Sequence, residues 1–256
     1  MTHPEVVVAP DPEAAAQTAA ERVATILSEA VAERGRADWA TTGGSTPVGI
    51  YRRLAERPLR DAVPWSDVHV WWGDDRFVPR DHPLSNVRPL DDVLLDPDHG
   101  VALPVANLHP FRTGASIGAG WDAAWAAATL AGELAAARLP SDDGWPVLDL
   151  VLVGIGGDGH LLSVFPGSEA FDATAWALAI PAPTHIEPHV ERVTLHPSIV
   201  RVARHVLAVT HGAGKAVILG EIFGETRDER RWPAQIALGA NATWILDEAA
   251  ATRIPR

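Results

Sequence analysis

The chain contains no cysteine. Disulfides, thiolate nucleophiles and thiolate metal sites are therefore excluded together, and nothing requires an oxidising compartment. Positive charge is also scarce: 21 lysines and arginines face 33 aspartates and glutamates, for a net charge of −12. That balance argues against a nucleic-acid or anionic-membrane partner, because either demands a basic face whose counterion release supplies affinity. An anionic small substrate stays open if a few cations converge locally. All but one of the basic side chains are arginine, so the lone lysine, Lys215, stands out. No uninterrupted apolar run of about 18 residues is present to span a bilayer. The opening Met1-Thr2-His3-Pro4-Glu5 lacks the basic and then apolar character of a signal segment. A soluble cytoplasmic protein is expected.

What is present is an ordinary globular composition: 256 residues, 47% of them hydrophobic, enough to bury a sizeable core. No repeat and no Gly/Ser-rich linker divides the chain, so residues 1–256 read as a single domain. Val6–Ala9 is a short β-type run, and after Pro10-Asp11-Pro12 an alanine-rich helix runs to about Arg34. Trp39–Thr42 and Val68–Trp72 read as strands flanking a helix from Thr46 to about Arg57, and a second long helix covers about Ala115 to Arg138. Leu148–Val153, Trp176–Ile180, Arg192–Leu195, Val206–Thr210 and Thr243–Leu246 are further strands, with a helix from Lys215 to Phe223. Trp39, Trp71, Trp72, Trp176 and Trp244 fall in these strands and are expected in the core. Such alternation predicts a mostly parallel open sheet with helices on both faces, a Rossmann-like, modified doubly wound α/β domain. Ligands of such sheets sit at the carboxyl ends of the strands.

Four strand ends carry unusual residues. Gly43-Gly44-Ser45-Thr46-Pro47 leads into a helix, where free amides and two hydroxyls make an anion site, or else an ordinary capped turn. Gly73-Asp74-Asp75-Arg76 bunches two acids with an arginine that could face a phosphate, carboxylate or oxyanion, or form a solvated turn. Gly154-Ile155-Gly156-Gly157-Asp158-Gly159-His160 satisfies the dinucleotide fingerprint G-x-G-x-x-G. Yet Pro166-Gly167 leaves scarcely one turn for the required helix, and the next strand ends at Ile180-Pro181 without the required acid. The glycines read instead as a loop presenting Asp158 and His160, and a histidine is the natural general base near neutral pH. His211-Gly212-Ala213-Gly214-Lys215 again brings backbone amides and a cation to a helix start. His185-x-Glu187-x-His189-x-Glu191 places four potential zinc ligands on alternate residues. Pro181, Pro183 and Pro188 make that segment a loop without a fixed geometry, and no metal site is expected there.

Taken together and in this order, these segments, with Ser85-Asn86, Ser163-Val164-Phe165-Pro166-Gly167, Arg192-Val193-Thr194-Leu195 and Leu246-Asp247-Glu248-Ala249-Ala250, resemble the 6-phosphogluconolactonase family. The resemblance spans nearly the whole chain, within a wider group that includes glucosamine-6-phosphate deaminases. It implies hydrolysis of a sugar-phosphate lactone, 6-phospho-D-glucono-1,5-lactone, to 6-phosphogluconate without metal or organic cofactor. His160 would be the base on water, Arg76 and amides of the Gly156–Gly159 loop the oxyanion donors, and Asp158 or Asp74 would orient the imidazole or bind hydroxyls. Phosphate would lie against Gly43, Gly44, Ser45 and Thr46, with Lys215 and Arg192 contributing charge. Asp75 stands where the family commonly has glutamate, which puts its contact with the sugar in question. A deaminase is the alternative, but its histidine is typically followed by Asn-Glu-Pro, whereas Leu161-Leu162-Ser163 follows here. A non-catalytic sugar-phosphate sensor would be expected to lack His160. Oligomeric state stays open between a monomer and a weak dimer.

Overall fold

The structure, a computed structural model, describes residues 3–255; Met1 and Thr2, part of the segment read for a signal, lie outside them. Its spine is a seven-stranded sheet: β1 (Glu5–Ala9), β2 (Ala37–Thr41), β3 (Val68–Trp72), β5 (Leu108–His109), β6 (Leu150–Val153), β9 (His205–Thr210) and β10 (Ala242–Asp247). β4 (Asp74–Arg76), β7 (Ala177–Ile180) and β8 (Arg192–Leu195) form a separate three-stranded sheet. The large sheet has the order β1-β10-β9-β6-β2-β3-β5, and all its neighbours are parallel. Its central strands read as near-continuous apolar runs because both faces are covered. Leu150, Val151, Leu152 and Val153 of β6 are all buried. Trp39, Trp71, Trp72 and Trp244 are fully buried in the core. Trp176 is not among them: it is only partly buried, and its indole N–H caps the carbonyl of Gly144.

The first helix, α1 (Pro12–Arg34), starts where Asp11 accepts a hydrogen bond from the Ala14 amide and stops at Gly35, whose φ of 72° suits only glycine comfortably. Such an N-cap contributes about 1 kcal/mol. Its alanine-rich face, including Ala15, Ala19 and Ala20, lies against the sheet with almost no exposure. The helix expected over 115–138 is two: α3 (Thr113–Gly118) and α4 (Ala123–Ala136), following α2 (Thr46–Ala55) in chain order. Gly120 takes φ 72° between them, and Asp122 caps the second by accepting from the Trp125 amide. The Gly118-Ala-Gly120-Trp-Asp122 stretch was the signal, a glycine stop followed at once by an N-cap.

The second departure concerns β7 and β8, expected in the parallel sheet. They pair antiparallel with one another, and β8 pairs antiparallel with β4. Parallel neighbours need a crossover, normally helical, and the proline-rich Pro181–Glu191 connection contains no helix. β4 of this small sheet follows directly on the carboxyl end of β3, near where the strand order of the large sheet reverses, the usual position of a ligand crevice. Among the described residues no helix is long and apolar enough to cross a membrane.

Candidate active site

A cavity of about 370 Å³ opens at the carboxyl ends of β2, β3, β6 and β9, lined by Gly43, Gly44, Ser45, Thr46, Asp74, Arg76, His160 and Lys215 among the residues expected from sequence. Four chain segments far apart in sequence therefore meet at one place. The lining also holds Thr42, Asn86, Ile155, Leu162, Thr210 and His211. Of these, Asn86 was legible as part of Ser85-Asn86. Thr210 and His211 close β9 beside Lys215, and strand-end position was their only signal.

The histidine is held from below. His160 Nδ1 lies 2.5 Å from Asp158 Oδ1, and the His160 amide donates to the same oxygen at 3.1 Å. Asp158 Oδ2 faces Nε2 of His185 at 2.9 Å. Burial opposes ionisation of Asp158, but the hydrogen bonds from His160 and His185 outweigh it and hold the carboxyl well below the usual carboxylate range. An ionised carboxylate only accepts, so both imidazoles donate to it. His160 thereby carries its proton on Nδ1 and keeps a lone pair on Nε2, the arrangement a general base requires. Asp158 itself stays behind the histidine rather than on the cavity wall. The ring sits so close to the loop that a Cβ on Gly156 would lie 2.0 Å from Nδ1. Gly159, at φ 85°, turns the chain back towards the histidine.

Alternation along β4 sorts its three polar residues. Asp74 and Arg76 face the cavity side; Asp75 points the other way and is fully buried. Its Oδ1 accepts from the amides of Arg76 and Asn86, both at 2.7 Å, and Oδ2 from Ser85 Oγ at 3.2 Å. Asp75 is thus a fastener between β4 and the 85–87 turn, and the expectation that it binds substrate is corrected. Asp74 accepts from Ser163 Oγ at 2.6 Å and from the Asn86 side-chain amide. Arg76 spends one nitrogen on the Leu84 carbonyl, leaving other N–H groups for a ligand.

Burial pushes the Asp75 carboxyl up to about 7, against the lowering effect of the Asn86 and Arg76 amides. The folded chain therefore binds this proton more tightly than the unfolded chain, and between the ordinary carboxylate range and about pH 7 rising pH withdraws stability. Asp75→Asn removes the ionisation while keeping an acceptor for the two amides. Thermal melts of that variant are expected to fall less between pH 5 and pH 7.5 than wild-type melts; parallel curves would contradict the assignment.

Arg192, expected to add charge at the phosphate, is not among the residues lining the cavity: its guanidinium is buried, Nη2 donates to the Pro188 carbonyl, and among the described residues Nε and Nη1 have no partner. It stands opposite Arg76 in the β4–β8 register, which puts the two side chains on the same face of the small sheet. Of the loop amides expected as oxyanion donors, those of Gly156 and Gly159 are committed to the carbonyls of His160 and Gly156, which leaves those of Gly157 and Asp158 beside Arg76. The anion position is better supplied. Ser45 makes no capping bond to α2, and Ser45 and Thr46 line the cavity, so this helix start comes to it without a side-chain cap. Lys215, at the start of α5 (Ala216–Ile222), places Nζ 2.7 Å from the Ile155 carbonyl. Burial holds its ammonium below its ordinary value, with Asp158 pulling the other way. The four residues of the His185–Glu191 segment do not converge: His185 goes to Asp158 and His189 Nδ1 to the Pro183 carbonyl at 2.7 Å.

Residues 10–245 match the family described as glucosamine-6-phosphate isomerases/6-phosphogluconolactonase. A 6-phosphogluconolactonase of Synechocystis sp. is 36% identical over 229 residues, 89% of each chain. One of Streptomyces coelicolor is 36% identical over 99% of this chain and 95% of its own length. The solved structure of the 6-phosphogluconolactonase from Trypanosoma brucei superposes with a TM-score of 0.84 at 28% identity, covering 100% of both chains. With these likenesses running the whole length of the sheet and its strand-end loops, the chain belongs to the glucosamine-6-phosphate isomerase/6-phosphogluconolactonase family.

Proposed function

We propose that this chain hydrolyses 6-phospho-D-glucono-1,5-lactone to 6-phosphogluconate, with His160 as the general base. The carrying observation is the Asp158–His160 pair at a cavity that also holds Lys215 and the uncapped start of α2. The 6-phosphate rests on the amides and hydroxyls of residues 44–46 and on Lys215, which places local positive charge on an acidic protein. Nε2 of His160 takes a proton from water as its oxygen adds to the lactone carbonyl carbon, and Arg76 faces the oxyanion that develops. When the tetrahedral intermediate collapses, the bond to the ring oxygen breaks, and that oxygen takes the proton back from the imidazolium. The products are the carboxylic acid, which ionises in water, and a free hydroxyl. Neither step asks for a metal or an organic cofactor.

One feature of the lining separates this reading from an aldose–ketose deaminase. That chemistry needs a carboxylate free to take a proton from carbon, and the lining holds a single carboxylate, Asp74, with both oxygens engaged. The reading is tested by following lactone generated in place. Purified chain is expected to speed its loss well above the spontaneous rate, undiminished by a chelator; a rate equal to buffer alone sinks it.

A further inference from the structure

We propose that His185 is a positioning residue, delivered by the Pro181–Glu191 strap to fix the Asp158 carboxylate and, through it, the His160 ring. The proposal rests on His160 being the base. Asp158 stands between Gly157 and Gly159, on backbone with little to hold it. Its Oδ1 takes both bonds from His160, which leaves Oδ2 as the only handle on the plane of the carboxylate; His185 Nε2 holds that oxygen at 2.9 Å. A base aimed by a carboxylate is only as well placed as the carboxylate, and small displacements of a proton acceptor cost rate steeply.

The strap is secured at points that do not involve the cavity. His189 Nδ1 bonds the Pro183 carbonyl, Arg192 Nη2 the Pro188 carbonyl, and the Phe77 amide the Glu191 carbonyl. Phe165 backs both imidazoles, with its ring centroid 4.8 Å from that of His160 and 5.6 Å from that of His185. His185 is half exposed, and its outer side lines a neighbouring cavity of about 500 Å³ rather than the one containing His160. Its removal should therefore spare substrate contacts.

The titratable groups acting on Asp158 are His160, His185 and Lys215; the strap itself adds Glu187, His189 and Glu191. The His185 donor draws off part of the negative charge of Asp158. Without it, more of that charge faces His160 and favours the imidazolium, so the acid limb of kcat/KM moves to higher pH.

The test compares wild type, His185→Ala and His185→Gln on the lactone, and records the downfield proton resonance of the His160 Nδ1–H in the free protein. For His185→Ala, kcat is expected to fall about tenfold with KM nearly unchanged, as for loss of a bond that orients a catalytic group. The acid limb should rise by about half a pH unit, and the proton resonance should shift or broaden. Glutamine, which keeps a donor for Oδ2, should restore the resonance and most of kcat. Wild-type kcat, profile and resonance in His185→Ala would overturn the proposal. So would equal losses in both variants with an unmoved acid limb, which would mark simple loop packing. The resonance needs no turnover, so a chain inactive on the lactone would refute the proposed reaction while His185 could still be judged.

Discussion

His160→Ala is expected to lower lactone turnover by about 10²- to 10⁴-fold, the usual worth of a positioned general base. KM should change little, because Lys215 and the amides assigned to the phosphate lie on other segments. The loop should survive the truncation. Its shape is held by backbone bonds, Gly156 N–H to the His160 carbonyl and Gly159 N–H to the Gly156 carbonyl, neither of which uses the ring. Binding and Arg76 would then sustain a residual acceleration over water. Measured kcat and KM on freshly made lactone decide the matter; full activity in the alanine variant would remove His160 from the chemistry.

Gly156→Ala should reduce kcat by about 10²-fold without unfolding the chain, an effect of misplacing the base rather than deleting it. The added Cβ would stand 2.0 Å from Nδ1 and 2.2 Å from Cε1 of His160. Backbone conformation offers no relief and no obstacle, since Gly156 is not among the residues with positive φ. The ring must leave, and the bond to Asp158 goes with it. Gly157→Ala is the matched control, because a Cβ there meets nothing within 4 Å. Comparable kcat in the two variants would show that the close approach of loop and ring is irrelevant to turnover.

Much of this site was legible in the sequence for one physical reason. A parallel sheet gathers the ends of its strands, so the sequence alone brings Gly43–Thr46, Asp74, Arg76, His160 and Lys215 to one edge. The misleading G-x-G-x-x-G pattern was also resolved by context, since no helix follows it. What failed was subtler. Ala177–Ile180 and Arg192–Leu195 are short apolar strands, and periodicity alone does not distinguish a parallel from an antiparallel setting. Arg192 was expected near the phosphate from the family resemblance alone, and the strap over it takes one of its hydrogen bonds. Asp75 was misjudged because a charged residue at a strand end suggests a ligand contact. Its partners, the amides of Arg76 and Asn86, leave no trace in residue types. His185 carried a signal, the alternation of histidine and glutamate, but the pattern pointed to zinc, whereas the fold turns this one side chain towards Asp158.

The most direct measurement sets the lactone and glucosamine 6-phosphate side by side before the same purified chain, at equal concentration and near neutral pH. Hydrolysis of the lactone well above its spontaneous rate, with no release of ammonia from the amino sugar, is the expected result. Ammonia release with the lactone left to decay at its own pace would contradict the assignment of His160 as a base on water and return the chain to deaminase chemistry.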